Sequence, residues 1–119
     1  MPRSSKPSTP QPQDFIGTSL KLESLAAYQK HSIVSKQILN KKAGSLTLFA
    51  FDKGEGLSEH TAPYAASVMI LDGKALVMTG GKSHTLGKGE MIIMPAGIPH
   101  SLKAIERFKM LLIMIRSAD

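Results

Sequence analysis

The stretch Gly89–His100, which reads GEMIIMPAGIPH, carries the strongest structural signal in this sequence. Its apolar run Met91–Met94 predicts a short strand, and the segment Pro95–Pro99 that follows predicts a tight turn. Because proline and glycine fix the direction of the chain in such a turn, we expect the side chain of His100 to have a fixed orientation. A second histidine, His60, follows an earlier glycine-rich turn. If the two histidines converge inside one β-barrel, they mark the functional site.

Length and composition limit the kinds of protein this chain can be. It has 119 residues, of which 42% are hydrophobic, which suits one domain with a modest core. No apolar run approaches the ~18 residues that span a bilayer, and the first residues lack the apolar segment of a signal peptide. We therefore expect a cytoplasmic protein without a membrane partner. Because the chain has no cysteine, disulfides and thiolate ligands are excluded, and any metal must be held by His, carboxylate or water.

The net charge of +6 raises the question of a nucleic-acid partner. The lysines are scattered over the body of the chain, and the densest pair, Lys41 and Lys42, lies in a predicted turn. No stripe of Lys and Arg alternates with aromatic residues, as is usual in a nucleic-acid site. The sequence therefore predicts a solvated, mildly basic surface and no nucleic-acid partner.

The chain divides into three segments. Residues 1–13 are rich in Pro, Ser, Thr and Gln and are predicted to be disordered. Residues 14–31 are predicted to form an N-terminal strap, with a short helical turn within residues 23–29. In residues 32–119 short apolar runs alternate with glycine turns, which indicates an all-β sandwich or barrel. The predicted strands are Ser32–Leu39, Ser45–Phe51, Ser67–Leu71, Lys74–Thr79, His84–Leu86, Met91–Met94, Leu102–Ile105 and Phe108–Ile115.

The spacing of residues in the opening stretch matches a family pattern. Gly89, Pro95, Gly97 and His100 fit the motif G-x5-P-x-G-x2-H-x3-N, and only the final position departs, with Ala104 in place of Asn. With these residues the chain resembles the cupin superfamily, and in particular small single-domain bacterial cupins of the cupin 2 conserved-barrel type. The resemblance implies an all-β double-stranded β-helix, a cupin or jelly-roll-like barrel in a single domain. It also implies a homodimer.

The first motif of the family, G-x5-H-x-H-x3,4-E-x6-G, is matched only in part. Gly54 and His60 match its opening, and Gly73 matches its end. Ala62 stands at the position of the second His, and Ala66 stands at the position of the Glu. The resemblance therefore supports the fold more strongly than it supports the chemistry of the family.

The usual cupin metal site, as the resemblance implies it, has three His and one Glu that hold iron, manganese, zinc, nickel or copper. Here only His60 and His100 remain, an incomplete site for such a divalent transition metal. A catalytic zinc takes three protein ligands, and a non-haem iron takes two His and one carboxylate. Glu59 is adjacent to His60, but it would point to the opposite face of a regular strand unless a bulge intervenes. A two-His site completed by water or substrate stays open.

Two hypotheses of different classes follow. In the first, the protein is a non-catalytic or sensor-like module that binds a small organic ligand in the barrel pocket. In the second, it is a metal-dependent enzyme, an oxygenase or isomerase, with a reduced two-His site at His60 and His100. General acid–base chemistry by the histidines and a structural role for the sheet surface also stay open. The predicted pocket residues are His60, Ala62, Tyr64, Ala66, Met94 and His100, and the strand methionines either line this pocket or fill the core.

Overall fold

Nine strands follow one another in residues 11–116, the part of the chain that the computed structural model describes. They are β1 (Ile33–Lys41), β2 (Gly44–Phe51), β3 (Gly56–His60), β4 (Ala66–Asp72), β5 (Lys74–Thr79), β6 (Lys82–Gly87), β7 (Met91–Met94), β8 (His100–Ala104) and β9 (Phe108–Ile115). Two 3₁₀ turns, Pro12–Phe15 and Leu22–Ser24, precede them. Within the same residues, no helix is long and apolar enough to cross a membrane.

The strands form two antiparallel sheets. The order is β1-β2-β9-β4-β7 in the first sheet and β3-β8-β5-β6 in the second. At most connections the chain crosses from one sheet to the other, so that strands distant in sequence become neighbours. This arrangement is a jelly-roll barrel, and it confirms the predicted all-β double-stranded β-helix.

The core lies between the two sheets because side chains alternate between the faces of each strand. In β4, Ala66, Val68 and Ile70 are buried, and the residues between them face outward. Phe51 on β2 lies opposite Phe108 on β9, and their fully buried rings stack with centroids 4.5 Å apart. Burial of such apolar surface is the dominant favourable term in the stability of the barrel.

A second apolar cluster lies on the outer face of the first sheet, around the buried side chains of Leu48 and Leu111. The N-terminal residues packed against it are Phe15, Leu20, Leu22, Leu25, Ala26 and Tyr28. The Tyr28 hydroxyl donates a hydrogen bond of 2.6 Å to Oδ2 of Asp72, at the end of β4. Burial and this hydrogen bond raise the pKa of Tyr28, so the hydroxyl keeps its proton. The strap is therefore tied to the barrel by packing and by one charge-assisted hydrogen bond.

All eight predicted strands are present, some with small shifts at their ends. Lys74–Thr79, Met91–Met94 and Phe108–Ile115 have the predicted bounds, β8 begins at His100 rather than Leu102, and β3 is not predicted by the sequence pattern. The helical turn expected within residues 23–29 is a 3₁₀ turn at Leu22–Ser24. Residues 1–10, most of the segment predicted to be disordered, lie outside the described residues, as do residues 117–119.

Candidate functional site

The turn between β7 and β8 is held by two backbone hydrogen bonds to neighbouring loops. The N–H of Gly97 donates to the carbonyl of Ala62 (2.8 Å), and the N–H of Gly80 donates to the carbonyl of Pro99 (3.1 Å). Gly97 has a φ of 73°, a left-handed conformation that residues with a Cβ rarely adopt. The turn therefore delivers the chain into β8 in a fixed position, and His100 is the first residue of that strand.

A β-bulge in β3 brings the second histidine to the same place. In the pairing of β3 with β8, Leu57 lies opposite Leu102 and His60 lies opposite His100, so β3 has one extra residue between the two pairs. In a regular strand Leu57 and His60 would face opposite sides, because their spacing is odd. With the bulge, both side chains line the same cavity.

His60 and His100 are in direct contact. Their Nε2 atoms lie 3.1 Å apart, and the two rings meet edge to face, with centroids 4.4 Å apart and planes at 82°. His100 is only 4% exposed, whereas His60 is exposed at the end of its strand. The pair therefore joins a buried imidazole to one that faces solvent.

Hydrogen-bond chemistry assigns the protons of this pair when both rings are neutral. Nδ1 of His60 lies 2.7 Å from the carbonyl oxygen of Ser58, which only accepts, so this nitrogen carries the proton. A neutral imidazole has one N–H, and Nε2 of His60 is therefore an acceptor. The Nε2–H of His100 donates to it, and Nδ1 of His100 keeps a lone pair.

The surroundings of His100 favour its neutral form. Burial lowers the pKa of His100 below its ordinary value of 6.5, the charge on His60 lowers it further, and the backbone of Ile98 acts in the opposite direction. Within the described residues, Nδ1 of His100 has no hydrogen bond of normal geometry, to the Ile98 carbonyl or to any other group. The hydroxyl of Thr79, the cross-strand neighbour of His100, is buried without a partner in the same part of the protein.

A cavity of about 180 Å³ opens between the two sheets beside the histidine pair. Its lining residues are Leu57, His60, Ala62, Ala66, Val68, Met94, His100, Leu102, Met110, Leu112 and Met114. Five of the six pocket residues expected from the sequence are among them, and Tyr64 is the one that is not. The two imidazoles are the polar side chains of a wall that is otherwise aliphatic or thioether.

The residues around the cavity do not fit the three-His, one-Glu metal site of the family. Ala62 and Ala66 both line the cavity, so methyl groups stand where the family pattern has a His and a Glu. The bulge in β3 does not bring Glu59 into the site, because this side chain is exposed and lies outside the lining. Among residues 11–116 no group of three or more His, Cys, Asp or Glu side chains is arranged to hold a metal ion.

Sequence reasoning missed the walls that β3 and β9 supply. Leu57 lies on the unpredicted β3, whose bulge interrupts the alternation by which strands are recognised. Met94, which the sequence predicts in the pocket, is joined there by Met110 and Met114 of β9. The register of β9, which the sequence does not give, determines that these two methionines face the cavity. The other histidine of the second sheet outside the pair, His84, is half-buried and lies outside the cavity lining.

Comparison with known proteins agrees with this fold. The family model of the cupin domain matches residues 47–116. A structure of a conserved protein of unknown function from Streptococcus pyogenes is 32% identical, with a TM-score of 0.80 over 85% of this chain and 89% of that one. A cupin 2 conserved barrel domain protein from Leptotrichia buccalis is 40% identical, with a TM-score of 0.79 over 82% of this chain; the match spans only 47% of that protein.

A cupin superfamily protein from Desulfitobacterium hafniense is 26% identical, with a TM-score of 0.80 over 85% of this chain and 93% of that one. No curated protein matches the sequence. The matched residues 47–116 include both glycine-and-histidine motifs and make up more than half of the chain. On this match and on identities above 30% to solved structures, the chain belongs to the cupin superfamily, among its small bacterial members.

Proposed function

We propose that this protein binds a small organic ligand in the pocket between its two sheets and does so as a non-catalytic or sensor-like module. The observation that carries the proposal is the cavity of about 180 Å³, whose apolar wall ends at the pair His60 and His100. Ligand sites of proteins are typically concave and mostly apolar, with a few polar groups that orient the ligand. The pocket has both of these properties.

The two alanines support binding rather than metal chemistry. Ala62 and Ala66 add apolar surface to the cavity at the positions where the family pattern has metal ligands. A site with methyl groups at these positions offers hydrophobic contact to a ligand, and it offers no donor atom to an ion.

The proposal is tested by adding small neutral organic compounds to isotopically labelled protein and following chemical shifts. We expect saturable shifts at residues that line the cavity. The variant Ala62→Leu extends a side chain into the pocket and should abolish them. Ala65→Leu is the matched control, because Ala65 is an exposed neighbour outside the lining. Binding that is unchanged in Ala62→Leu, or no shift with any compound, would contradict the proposal.

The second candidate is a metal-dependent enzyme, an oxygenase or isomerase, with a two-His site. The observation that favours it is the 3.1 Å between the Nε2 atoms of His60 and His100, since two nitrogens at this separation can both lie about 2.0–2.1 Å from one ion. Against it stands the number of donors, because a catalytic site of this kind takes three protein ligands.

Elemental analysis of protein purified without a polyhistidine tag separates the two candidates. Near-stoichiometric iron, manganese, zinc, nickel or copper that is lost in the double variant His60→Ala/His100→Ala would favour the enzyme. We expect less than stoichiometric metal, before and after reconstitution.

A further inference from the structure

The volume of the pocket limits a ligand to about the size of one ring. An engineered apolar cavity of about 150 Å³ holds benzene, and drug-sized ligands occupy pockets of about 300–1,000 Å³. The cavity here is about 180 Å³, close to the lower of these sizes. A ring of six atoms with one small substituent therefore fills it, and a two-ring compound does not fit without movement of the walls.

The walls of the pocket favour an uncharged ligand. The described residues that line it include no Asp, Glu, Lys or Arg, and the buried member of the histidine pair, His100, is held in its neutral form. A carboxylate or an ammonium ion would lose its hydration on entry and find no opposite charge in the wall. Charge on the ligand thus opposes binding.

The protons of the histidine pair specify the polar group of the ligand. One acceptor, Nε2 of His60, faces one donor, the Nε2–H of His100. A hydroxyl group is neutral and both donates and accepts at one oxygen atom, so it satisfies both nitrogens at once. A ketone or an ether only accepts, and it would leave the lone pair of His60 without a donor.

We propose that the pocket selects a compact, uncharged molecule with one hydroxyl group on a ring-sized apolar body, for which phenol and cyclohexanol are the simplest probes. The hydroxyl inserts between the two rings: it accepts from His100 Nε2–H and donates to His60 Nε2. Because His60 is exposed, its ring has room to turn outward and admit the oxygen. This inference rests on the proposed ligand-binding function and names the class of ligand.

The test compares probes of similar size by isothermal titration calorimetry at about pH 7.5. Phenol and cyclohexanol are expected to bind, and toluene is expected to bind roughly five- to tenfold more weakly, because insertion of the hydroxyl replaces one hydrogen bond by two. Benzoate and benzylamine are expected to bind more weakly than toluene, since each carries a charge into an apolar pocket.

Two histidine variants assign the effect to the pair. His60→Leu changes an exposed side chain and should lower the affinity for phenol to that for toluene, with the affinity for toluene unchanged or higher. His84→Leu is the matched control, because His84 lies in the second sheet outside the cavity lining, and its phenol affinity should equal that of the unmodified protein.

Three other kinds of result from the titrations would contradict the hydroxyl inference. If toluene binds as tightly as phenol, and Ala62→Leu abolishes both, the hydroxyl inference is wrong and the ligand-binding function stands. Tightest binding of benzoate would show that the pair carries a positive charge, and tightest binding of benzylamine would show that charge on the ligand does not oppose binding. Either result would overturn the inference. If none of the probes binds, both the inference and the proposed pocket function fail for ligands of this size.

Discussion

At the scale of single residues, two alanine methyl groups determine how many metal ligands this site can offer. Ala62 and Ala66 line the cavity with His60 and His100, at the positions where the family pattern has a His and a Glu. The double variant Ala62→His/Ala66→Glu would place three His and one carboxylate around one cavity. We expect this variant to bind about one divalent transition ion per chain, because it has the ligand count of a catalytic metal site. Elemental analysis after reconstitution measures the gain.

The matched control for this gain is the same pair of substitutions in a His100→Ala background. It should lose most of the added metal, because the buried histidine supplies one of the ligands. Equal metal content in the unmodified protein and the double variant would show that the number of donors does not limit the site.

A second prediction at this scale concerns pH. The pKa of His100 is lowered in the folded protein, mainly by burial, so the unfolded chain takes up a proton at a higher pH than the folded chain does. Stability is therefore fully present above the ordinary pKa of 6.5 and is lost as pH falls from 6.5 towards the lowered pKa. Urea unfolding at a series of pH values should show a free energy of unfolding that decreases below about pH 6.5.

The variant His100→Gln separates this effect from the titration of carboxylates. Its stability should change less between about pH 6.5 and pH 5 than that of the unmodified protein, since no imidazole titrates at that position. Hydrogen bonds from the backbone of His31 and Lys53 lower the pKa of Asp52 below 3.8, so the stabilisation by this carboxylate is lost only at lower pH. Identical slopes in the two proteins would contradict the role assigned to His100.

At the scale of strands, the sequence predicts what depends on local pattern and misses what depends on register. β7 is a continuous apolar run, and β9 is apolar except for Lys109. The bounds of both strands agree with the prediction. β3 is short and mostly exposed, and its bulge breaks the period of two, so no local pattern marks it. Motif spacing singled out His60 and His100, but their contact depends on that bulge, which only the pairing with β8 reveals.

The turn between β4 and β5, where the chain passes from one sheet to the other, contains the motif glycine Gly73. Gly73 has a φ of 81°, and a Cβ there would collide with the carbonyl of Arg107 and lie 2.7 Å from Cα of Phe108. Gly81, in the hairpin between β5 and β6, has a φ of 80° and no atom within 4 Å of a Cβ position. Gly81→Ala should therefore cost about 1 kcal/mol from backbone strain alone. Gly73→Ala should cost about 3 kcal/mol, because steric overlap is added to the same strain.

Chemical denaturation of the two glycine variants measures both costs. The nearly equal φ values make Gly81→Ala the control for backbone strain, and the difference between the variants reports the close approach of Arg107. Equal losses of stability would mean that the Arg107 segment moves away without cost.

The N-terminal strap is attached to the barrel by one specific hydrogen bond. Tyr28 donates a 2.6 Å hydrogen bond to Asp72 across the outer face of the barrel. Tyr28→Phe should lower the free energy of unfolding by about 1 kcal/mol, because the carboxylate loses a donor while the ring packing remains. Tyr64→Phe is the control, since no hydrogen bond of the Tyr64 hydroxyl is seen among residues 11–116, and it should change stability by less than about 0.5 kcal/mol. Losses of equal size would show that the bond to Asp72 adds nothing.

At the scale of the whole molecule, the strap leaves part of the outer face of the first sheet uncovered. Ile93, Ser67, Ile113 and Leu46 are successive partners across four strands, so their side chains lie on one face in a row. Ile93 and Ile115 on this face are each 61% exposed. Ile113 and Leu46 are half-buried against the strap cluster, so the exposed apolar surface of this face is a patch around Ile93 and Ile115. An exposed apolar patch of this kind is typical of an interface between proteins.

We expect a second copy of the chain to cover this face, as in the homodimer that the family resemblance implies. In a two-fold dimer the same patch is used on both subunits, so one apolar patch is enough to form a self-complementary contact. We expect sedimentation equilibrium at micromolar concentration to give the mass of a dimer.

The variant Ile93→Lys should give a monomer, because it places a charge on each side of the contact. Ile105→Lys is the control, since Ile105 is an exposed isoleucine in the connection between β8 and β9, outside this row, and the variant should remain a dimer. A monomeric unmodified protein, or a dimer that persists in Ile93→Lys, would contradict this assignment of the face.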